Sequence, residues 1–254
     1  MKEKGLFILN KYLLAEFLGT MIGDGNMFYK KRPNSVFYKI TLSGDAKEDR
    51  LYYKCHIQKI FEALFFIKLK CYFSKKNEIS LYVYSKEIFN LLKFYGLPIG
   101  NKNNAKTIPE CIIFGNSDIK CDFLRGLFDA DGSITFKSKH KKLHYYPVIT
   151  ISFRNEAFIR NVASLLKELN FSFYVEYNED RFDIRTNKWY SRSSIYISGK
   201  RNLKKWMGLI GFSNPKHFTK IRVWQKYGFC PPKTTLNQRM NIILRRLDPF
   251  SFYN

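Results

Sequence analysis

The feature that most constrains this chain is that it repeats itself. Near the N-terminus stands Leu14-Ala15-Glu16-Phe17-Leu18-Gly19-Thr20-Met21-Ile22-Gly23-Asp24-Gly25, and in mid-chain stands Asp122-Phe123-Leu124-Arg125-Gly126-Leu127-Phe128-Asp129-Ala130-Asp131-Gly132. Both are apolar helical runs ending in a small residue, Asp and Gly, and their last aspartates lie 107 residues apart. The segments downstream of the two runs also match. Alternating strands are expected at about 26–32 and 36–43 after the first, and at about 133–139 and 146–153 after the second. A helix comes next at about 46–65 and 155–169, then strands at about 66–73 and 78–84 against 171–178 and 193–198, then a helix at about 85–95 and 199–210. Leu42-Ser43 aligns with Ile151-Ser152, and Tyr82-Val83 with Tyr196-Ile197. Each half therefore reads αββαββα, and the expected class is α+β with pseudo-two-fold tandem repeats. Residues 1–96 form the first repeat and 118–216 the second, joined by a linker at 97–117 that holds Pro98, Gly100 and Pro109. Residues 217–254 form a helical tail: Tyr227-Gly228-Phe229-Cys230-Pro231-Pro232 stops one helix and Thr235-Leu236-Asn237-Gln238 opens another with a capping box. The tail is expected to pack against the second half.

The two terminal aspartates are oddly placed. An Asp at the C-terminal end of a helix opposes the macrodipole, whose negative end lies there, and Asp favours helix N-caps instead. The chain makes this choice twice, at matched positions. Gly25 and Gly132 read as left-handed stops. Gly19-x-x-x-Gly23 and Gly126-x-x-x-Ala130 put small residues one turn apart on one face, which lets two helix backbones approach closely. Docking through these faces would set Asp24 beside Asp131. Two carboxylates held together repel, and a divalent cation bound through hard oxygen ligands relieves that repulsion.

The charge balance names the partner. Among 254 residues there are 44 Lys and Arg against 21 Asp and Glu, a net charge of +23, while aromatics make up 17%. Disordered basic tails lack such aromatic content, so this is a folded body with a large positive field. Its natural partner is a polyanion: DNA, RNA or an anionic membrane surface. A membrane span is excluded, because the most apolar stretch, Phe61 to Phe73, is broken by Lys68 and Lys70. No signal peptide is expected at the N-terminus. The five cysteines form no C-x-x-C pair, which argues against a disulfide framework or a zinc site and for an intracellular, reducing compartment, the cytoplasm of a prokaryote or an organelle. His140 and His144 would meet at i, i+4 on a helix, but no cysteine lies near, and no metal role is expected. Paired carboxylates facing a nucleic acid point to metal-assisted phosphodiester hydrolysis.

Phe17 to Gly25 and Leu124 to Gly132 resemble the two signature motifs of LAGLIDADG homing endonucleases. The second match, L-R-G-L-F-D-A-D-G, is close. The first, F-L-G-T-M-I-G-D-G, is looser and has Ile22 where the family pattern is acidic. With the αββαββα repeat, the resemblance covers about residues 10–216 and points to the monomeric, two-motif branch. It implies two motif helices at the centre of a pseudo-dimer, with two four-stranded antiparallel sheets forming a saddle over DNA. It implies Mg²⁺, with Mn²⁺ as a substitute, held by Asp24 and Asp131 with the backbone carbonyls of Gly23 and Ala130. It also implies cleavage across the minor groove that leaves 3′ overhangs, and an intron-encoded origin. Family members carry basic residues near the scissile phosphates. Lys102, in Gly96-Leu97-Pro98-Ile99-Gly100-Asn101-Lys102, and Lys216, in Gly211-Phe212-Ser213-Asn214-Pro215-Lys216, fit that pattern as transition-state stabilisers.

Strand alternation sorts the side chains independently. In the first half Lys39, Thr41 and Ser43 oppose Ile40 and Leu42, and Lys30 and Arg32 share a face with Phe28. Lys68, Lys70 and Tyr72 oppose Ile67, Leu69, Cys71 and Phe73, while Ser80, Tyr82 and Tyr84 oppose Ile79, Leu81 and Val83. In the second half Ser133, Thr135, Lys137 and Lys139 oppose Ile134 and Phe136, and Thr150 and Ser152 oppose Ile149, Ile151 and Phe153. Arg181, Arg185, Lys188 and Arg192 lie in a long connection and extend the contact. These polar faces suit ribbons lying in the major groove. The halves differ, so a long, pseudo-asymmetric target is expected. The expected function is a site-specific double-strand DNA endonuclease. The rivals are an RNA maturase assisting intron splicing and a non-catalytic DNA-binding regulator. A nuclease embedded in an intein is a weaker reading, because the flanks leave little room for a splicing domain.

Overall fold

The computed structural model describes residues 10–33, 35–100, 107–184 and 186–253. The first repeat opens with α1 (Lys11–Gly23), whose N-cap Asn10 accepts hydrogen bonds from the Tyr12 and Leu13 amides at 3.0 and 3.2 Å. Strands β1 (Gly25–Arg32) and β2 (Ser35–Asp45) come after it. Next comes one bent helix, α2 (Arg50–Tyr52), a π-helical turn at Tyr53–Ile57 and α3 (Gln58–Phe65). Strands β3 (Lys70–Ser74) and β4 (Glu78–Tyr84) lead into α4 (Lys86–Phe94). After the short α5 (Glu110–Ile113), the second repeat runs α6 (Ser117–Ala130), β5 (Ser133–Lys137), β6 (Tyr146–Phe153) and α7 (Glu156–Glu168). It continues through β7 (Tyr174–Asp183), β8 (Lys188–Ser198) and α8 (Lys200–Leu209). Two helices, α9 (Pro215–Tyr227) and α10 (Leu236–Ile243), precede a final 3-10 turn.

The two sheets have the same antiparallel topology, β1-β2-β4-β3 and β5-β6-β8-β7. The expected α+β pseudo-two-fold repeat is therefore present. Each sheet buries one face. Met27, Ile40, Leu42, Ile79, Leu81 and Val83 line the first core, and Ile134, Phe136, Ile149, Ile151, Ile195 and Ile197 the second. Alternation works because a half-buried strand shows a different face every residue.

At the centre, α1 and α6 pack backbone against backbone. A Cβ on Gly19 would lie 2.2 Å from the Phe123 carbonyl oxygen, and one on Gly126 would lie 2.0 Å from that of Glu16. Gly23 sits against Ala130, where an added Cβ would come within 2.4 Å of the alanine methyl. The small-residue faces are thus what allows the two halves to meet. A buried ion cluster secures the seam. Glu16, 3% exposed, accepts from Arg125 Nη2 at 2.8 Å and approaches His56 Nε2 at 2.6 Å. Arg125 also pairs with Asp122 and donates to the Ile210 carbonyl at 3.2 Å. Burial alone would raise the Glu16 carboxyl, but the hydrogen bonds from His56 and Arg125 more than offset it and hold the carboxyl below its ordinary value.

Removing Arg125 strands a buried carboxylate. Arg125→Met is expected to destabilise the protein by about 3–5 kcal/mol. Because the Glu16 pKa is depressed in the folded state, its contribution is present above the ordinary carboxylate range and is lost as the pH falls through the folded value. Denaturant melts of wild type against Glu16→Gln should show the two stability curves converging on the acid side. Parallel curves would refute the link.

The structure also corrects several sequence expectations. The first-half helix starts at Arg50 rather than about 46, because Asp45 and Asp49 organise a turn there: the Lys47 and Glu48 amides donate to Asp45 Oδ1, and the Asp45 amide donates to Asp49 Oδ2. β3 begins at Lys70, after Phe66 ends α3 in a left-handed conformation at φ 57°. Lys68 therefore lies off the strand and pairs with Glu62 at 3.7 Å. β3 is a short edge strand, and its Cys71 and Phe73 are exposed rather than inward, with the Arg50 guanidinium 5.3 Å from the Phe73 ring centroid. Lys139 lies past the end of β5, with its ammonium 3.6 Å from the Tyr146 ring centroid. His140 and His144 share no helix, and the His144 ring meets the Tyr253 hydroxyl at 3.1 Å instead. The tail touches both halves: Arg239, 1% exposed, donates to Glu48 of the first repeat at 2.7 Å.

Candidate active site at the motif helix ends

Asp24 and Asp131 are the C-terminal caps of α1 and α6, their amides donating to Thr20 at 2.9 Å and Leu127 at 3.0 Å. The glycines after them are not left-handed stops, since neither Gly25 nor Gly132 has a positive φ. They are glycines for want of space: an added Cβ would lie 2.5 Å from the Met21 carbonyl oxygen and 2.6 Å from that of Phe128. Each chain turns from helix into strand directly over the helix's own last turn.

Asp24 is half-buried and Asp131 exposed. Burial, and then the charge of Asp131, push the Asp24 carboxyl up to about 7, against the lowering effects of a Tyr53 hydrogen bond and the Lys216 charge. The contact of Gly23 with Ala130, where an added Cβ would also lie 3.4 Å from the Asp131 nitrogen, brings the two helix ends together as the small-residue faces implied. Tyr53 donates to Asp24 Oδ2 at 2.7 Å and stands 3.0 Å from the Ser43 carbonyl oxygen. It belongs to the π-helical turn, a local irregularity often found where a side chain must be re-aimed. Two carboxylates at the helix ends, with the Ala130 carbonyl oxygen 3.4 Å from Lys216 Nζ, offer hard oxygen atoms of the kind that Mg²⁺ or Mn²⁺ takes. Among the described residues no cluster of three or more His, Cys, Asp or Glu could hold a metal ion. A Mg²⁺ site fits this all the same, because that ion is commonly held by one or two carboxylates, with water and substrate phosphates completing the shell.

Lys216 is brought to this place. It lies in the first turn of α9, its Nζ 2.9 Å from Asp49 Oδ1 and 3.4 Å from the Ala130 carbonyl oxygen. The loop that aims it hangs on Asp129, whose carboxylate accepts the Ser213 amide at 2.8 Å and the Asn214 amide at 3.1 Å. Burial pushes the Asp129 carboxyl up to about 7 despite those bonds. Asn214 caps α9 and also donates to Asp49 Oδ1 at 2.8 Å. In the first motif Ile22 takes the place of Asp129 and is fully buried. Lys102 lies outside the described residues. Sequence reasoning missed Asp49 and Tyr53, since nothing local marks either one: Asp49 reads as turn charge and Tyr53 as one helical aromatic among several.

The cross-strand register gathers the anticipated polar residues on one face of each sheet. In the first, Phe28 faces Lys39, which faces Tyr84, and Thr41 faces Tyr82, which faces Lys70. Ser43 faces Ser80 with oxygens 2.8 Å apart, and Ser80 faces Tyr72. Lys30 and Arg32 complete the β1 row, opposite Phe37 and Ser35. In the second sheet Ser133 faces Thr150, Thr135 faces Val148 and Lys137 faces Tyr146. Ser152 faces Ser194, with oxygens 2.7 Å apart, so the serine pair of the first sheet recurs in the second.

The segment read as a long connection is instead a ribbon, since β7 and β8 run ten and eleven residues against five and seven for β3 and β4. A bulge between Glu176 and Glu179 inserts one residue. Beyond it Arg181 pairs with Tyr190, and Glu179 with Arg192, on the same face as Lys188. Without the extra residue Arg181 would point to the opposite face. Arg181 also pairs with Glu179. Arg185 lies outside the described residues.

Known proteins share this architecture. Residues 118–211 match the family described as LAGLIDADG-like domain. A structure of I-DmoI in complex with DNA and Mn matches with a TM-score of 0.55 at 20% identity, covering 79% of this chain and 97% of that one. A structure of the I-LtrWI LAGLIDADG homing endonuclease bound to target DNA matches at 12% identity, again with a TM-score of 0.55, covering 86% and 90%. Among curated proteins, the chain is 29% identical over 171 residues to a replication factor C small subunit of Methanocaldococcus jannaschii, covering 65% of this chain and 9% of that protein. It is 23% identical over 208 residues to a glutamine–fructose-6-phosphate aminotransferase of the same organism, covering 82% and 17%. The chain thus spans under a fifth of the length of either relative.

Proposed function

From a chain that has the two-motif LAGLIDADG fold and keeps the terminal aspartate of both motifs, we propose a site-specific, metal-dependent double-strand DNA endonuclease. The observation that carries this reading is the placing of Asp24 and Asp131 at the C-terminal ends of two backbone-packed helices, each of which leads directly into a sheet with a lysine-bearing polar face. Two of the similar I-DmoI structures are complexes with DNA and Mn or Ca, which supports the same reading. The matched curated proteins carry two unrelated names, so neither named activity is carried over to this chain.

Asp24 and Asp131, with the Gly23 and Ala130 carbonyls, would hold the cation, Mg²⁺ or Mn²⁺. A divalent cation bound here would supply an activated water and charge neutralisation at the leaving oxygen. The chain's own groups do the rest. Tyr53 fixes the rotamer of Asp24. Lys216, held between Asp49 and the Ala130 carbonyl, presents a positive charge where the phosphorane-like charge develops, and Lys102 would do so from the other half. The sheet faces read the two half-sites, base edges through Lys, Arg and hydroxyl groups and phosphates through the remaining lysines. Because those faces differ, we infer a pseudo-asymmetric target, cut to leave 3′ overhangs by one molecule with both motifs in a single chain. The free cysteines suit a reducing compartment.

The test is cleavage of a randomised plasmid target library with Mg²⁺, beside Ca²⁺ and EDTA controls. Linear product at one long site, with Mg²⁺ and not with EDTA, is the expected result. Tight binding of duplex without cutting would replace the endonuclease by a DNA-binding regulator, and preferential binding of structured RNA would replace it by a maturase.

A further inference from the structure

A basic cleft lies where β5 meets the tail, and the site at the motif helix ends gives it no role. Ile134, Thr135 and Phe136 of β5 form one wall, and α9, the turn at Pro231–Thr234 and Arg239 form the others. Its volume is about 240 Å³. A water molecule's share of the liquid is about 30 Å³, so a tetrahedral anion with its ester groups fits.

The cleft sets Lys216, Lys220, Lys233 and Arg239 against a single lining carboxylate, Glu48, which is taken up by Arg239. Arg239 is fully engaged: it donates to Thr219 Oγ1 at 3.0 Å, to the Thr234 carbonyl and to Glu48 at 2.7 Å. Lys216 is held by Asp49. Lys220 is different. It is half-buried, and its ammonium donates to a neutral acceptor, the Ile134 carbonyl, at 3.1 Å, with no ion pair among the described residues. Burial and the neighbouring Arg239 charge push it down to about 8. On the opposite wall Lys233 also makes no ion pair among the described residues, and its backbone is left-handed at φ 56°. A non-glycine residue pays roughly 1 kcal/mol for that conformation. The strain sits where the turn brings a lysine to the cleft mouth, and strained backbone gathers at binding sites.

A half-buried cation whose hydrogen-bond partner is a neutral carbonyl is only partly compensated, and an anion bound across it relieves the cost. The position of the cleft selects which anion. Thr135 lines it and belongs to the polar face of the second sheet, in the row of Ser133 and Lys137, so the cleft opens onto the surface already assigned to DNA. Lys216 is shared between the cleft and the motif ends. We propose that the cleft seats a backbone phosphate of the bound duplex, distinct from the scissile one, gripped by Lys220 and Lys233, and that the C-terminal tail is therefore part of the DNA interface. This rests on the DNA-binding reading of the sheets and extends the interface beyond the two repeats.

The experiment uses the full chain and a duplex recovered by selection for binding in Ca²⁺, so that no cutting is needed. Affinity is measured across a range of KCl concentrations for wild type, Lys220→Met and Lys233→Met, with thermal melting of each. Each lost phosphate contact should lower the slope of log K against log salt by about 0.9. We expect that change in both variants, with binding weakened several-fold and the melting temperature of Lys220→Met unchanged or raised, since an unbalanced charge has gone. Unchanged slopes in both variants would overturn the proposal. So would a lowered melting temperature of Lys220→Met at unchanged slope, which marks a purely structural lysine. Inorganic phosphate is the second probe: if it raises the wild-type melting temperature through Lys220 while the DNA slopes stay equal, the cleft is a free-anion site and the proposal fails. If no duplex can be selected with the wild type, the DNA reading itself falls, and this inference with it.

Discussion

Replacing Asp131 by Asn is expected to abolish cleavage while leaving binding of the same duplex within a few-fold of wild type. Asn keeps the size and one acceptor oxygen but removes the charge that draws in a cation. The loss in rate should be at least about 10³-fold, equivalent to about 4 kcal/mol of transition-state stabilisation. Asp24→Asn should do the same, since the pair acts as one unit. Stability should move the other way. Asp24 sits in a buried setting that already pushes its carboxyl up to about 7, with Asp131 adding to the shift. Neutralising either member relieves repulsion, so neither variant should melt below wild type. Gel assays of linear and nicked product on the selected target, with melting curves beside them, decide the matter. Full double-strand cleavage by both variants would remove these aspartates from the chemistry.

The second large effect concerns the seam between the halves. Gly126→Ala adds a methyl whose ideal position is 2.0 Å from a backbone oxygen of α1 and 2.9 Å from Thr20 Oγ1. Backbone cannot step aside as a long side chain can, so α1 and α6 must separate. Overpacking of this kind costs about 1–3 kcal/mol and sometimes more, and here the high end is expected. A loss of about 3 kcal/mol corresponds to a fall of roughly 6–12 °C in Tm for a chain of this size. Gly208→Ala in α8 is the control. Nothing lies within 4 Å of its added Cβ. Alanine is the better helix former by up to about 1 kcal/mol, so that variant should hold or gain stability. Equal melting of the two variants would mean that the close approach of the helices is not what joins the halves.

How much of the molecule is legible in the sequence depends on how local each signal is. The motif helices, their small-residue faces and the positions of Asp24 and Asp131 are written in a dozen consecutive residues, twice. The sheet faces are legible for the same reason, since alternation needs only neighbours. Contacts between distant segments are not. Asp49 meets Lys216 across the boundary between repeats, and no pattern in either stretch announces the other. Tyr53 reaches Asp24 because a π-helical turn shifts its direction, which a 3.6-residue periodicity does not anticipate. The outer part of the β7–β8 ribbon reads as loop because it projects past the core: its less charged face carries the Phe182–Trp189 pair, which is exposed, and the bulge between Glu176 and Glu179 breaks the alternation. Gly25 and Gly132 show a subtler failure. Dihedral freedom is the reason that the residue type suggests, whereas the structure requires only the absence of a Cβ.

Both motif aspartates come from a single polypeptide, and the joint between them is internal. An assembly of two separate one-motif subunits would obey mass action and come apart on dilution. Here the pairing of Asp24 with Asp131 is independent of how many copies are made. One molecule in a compartment would carry a complete site, and its activity per molecule would stay constant down to the lowest expression level.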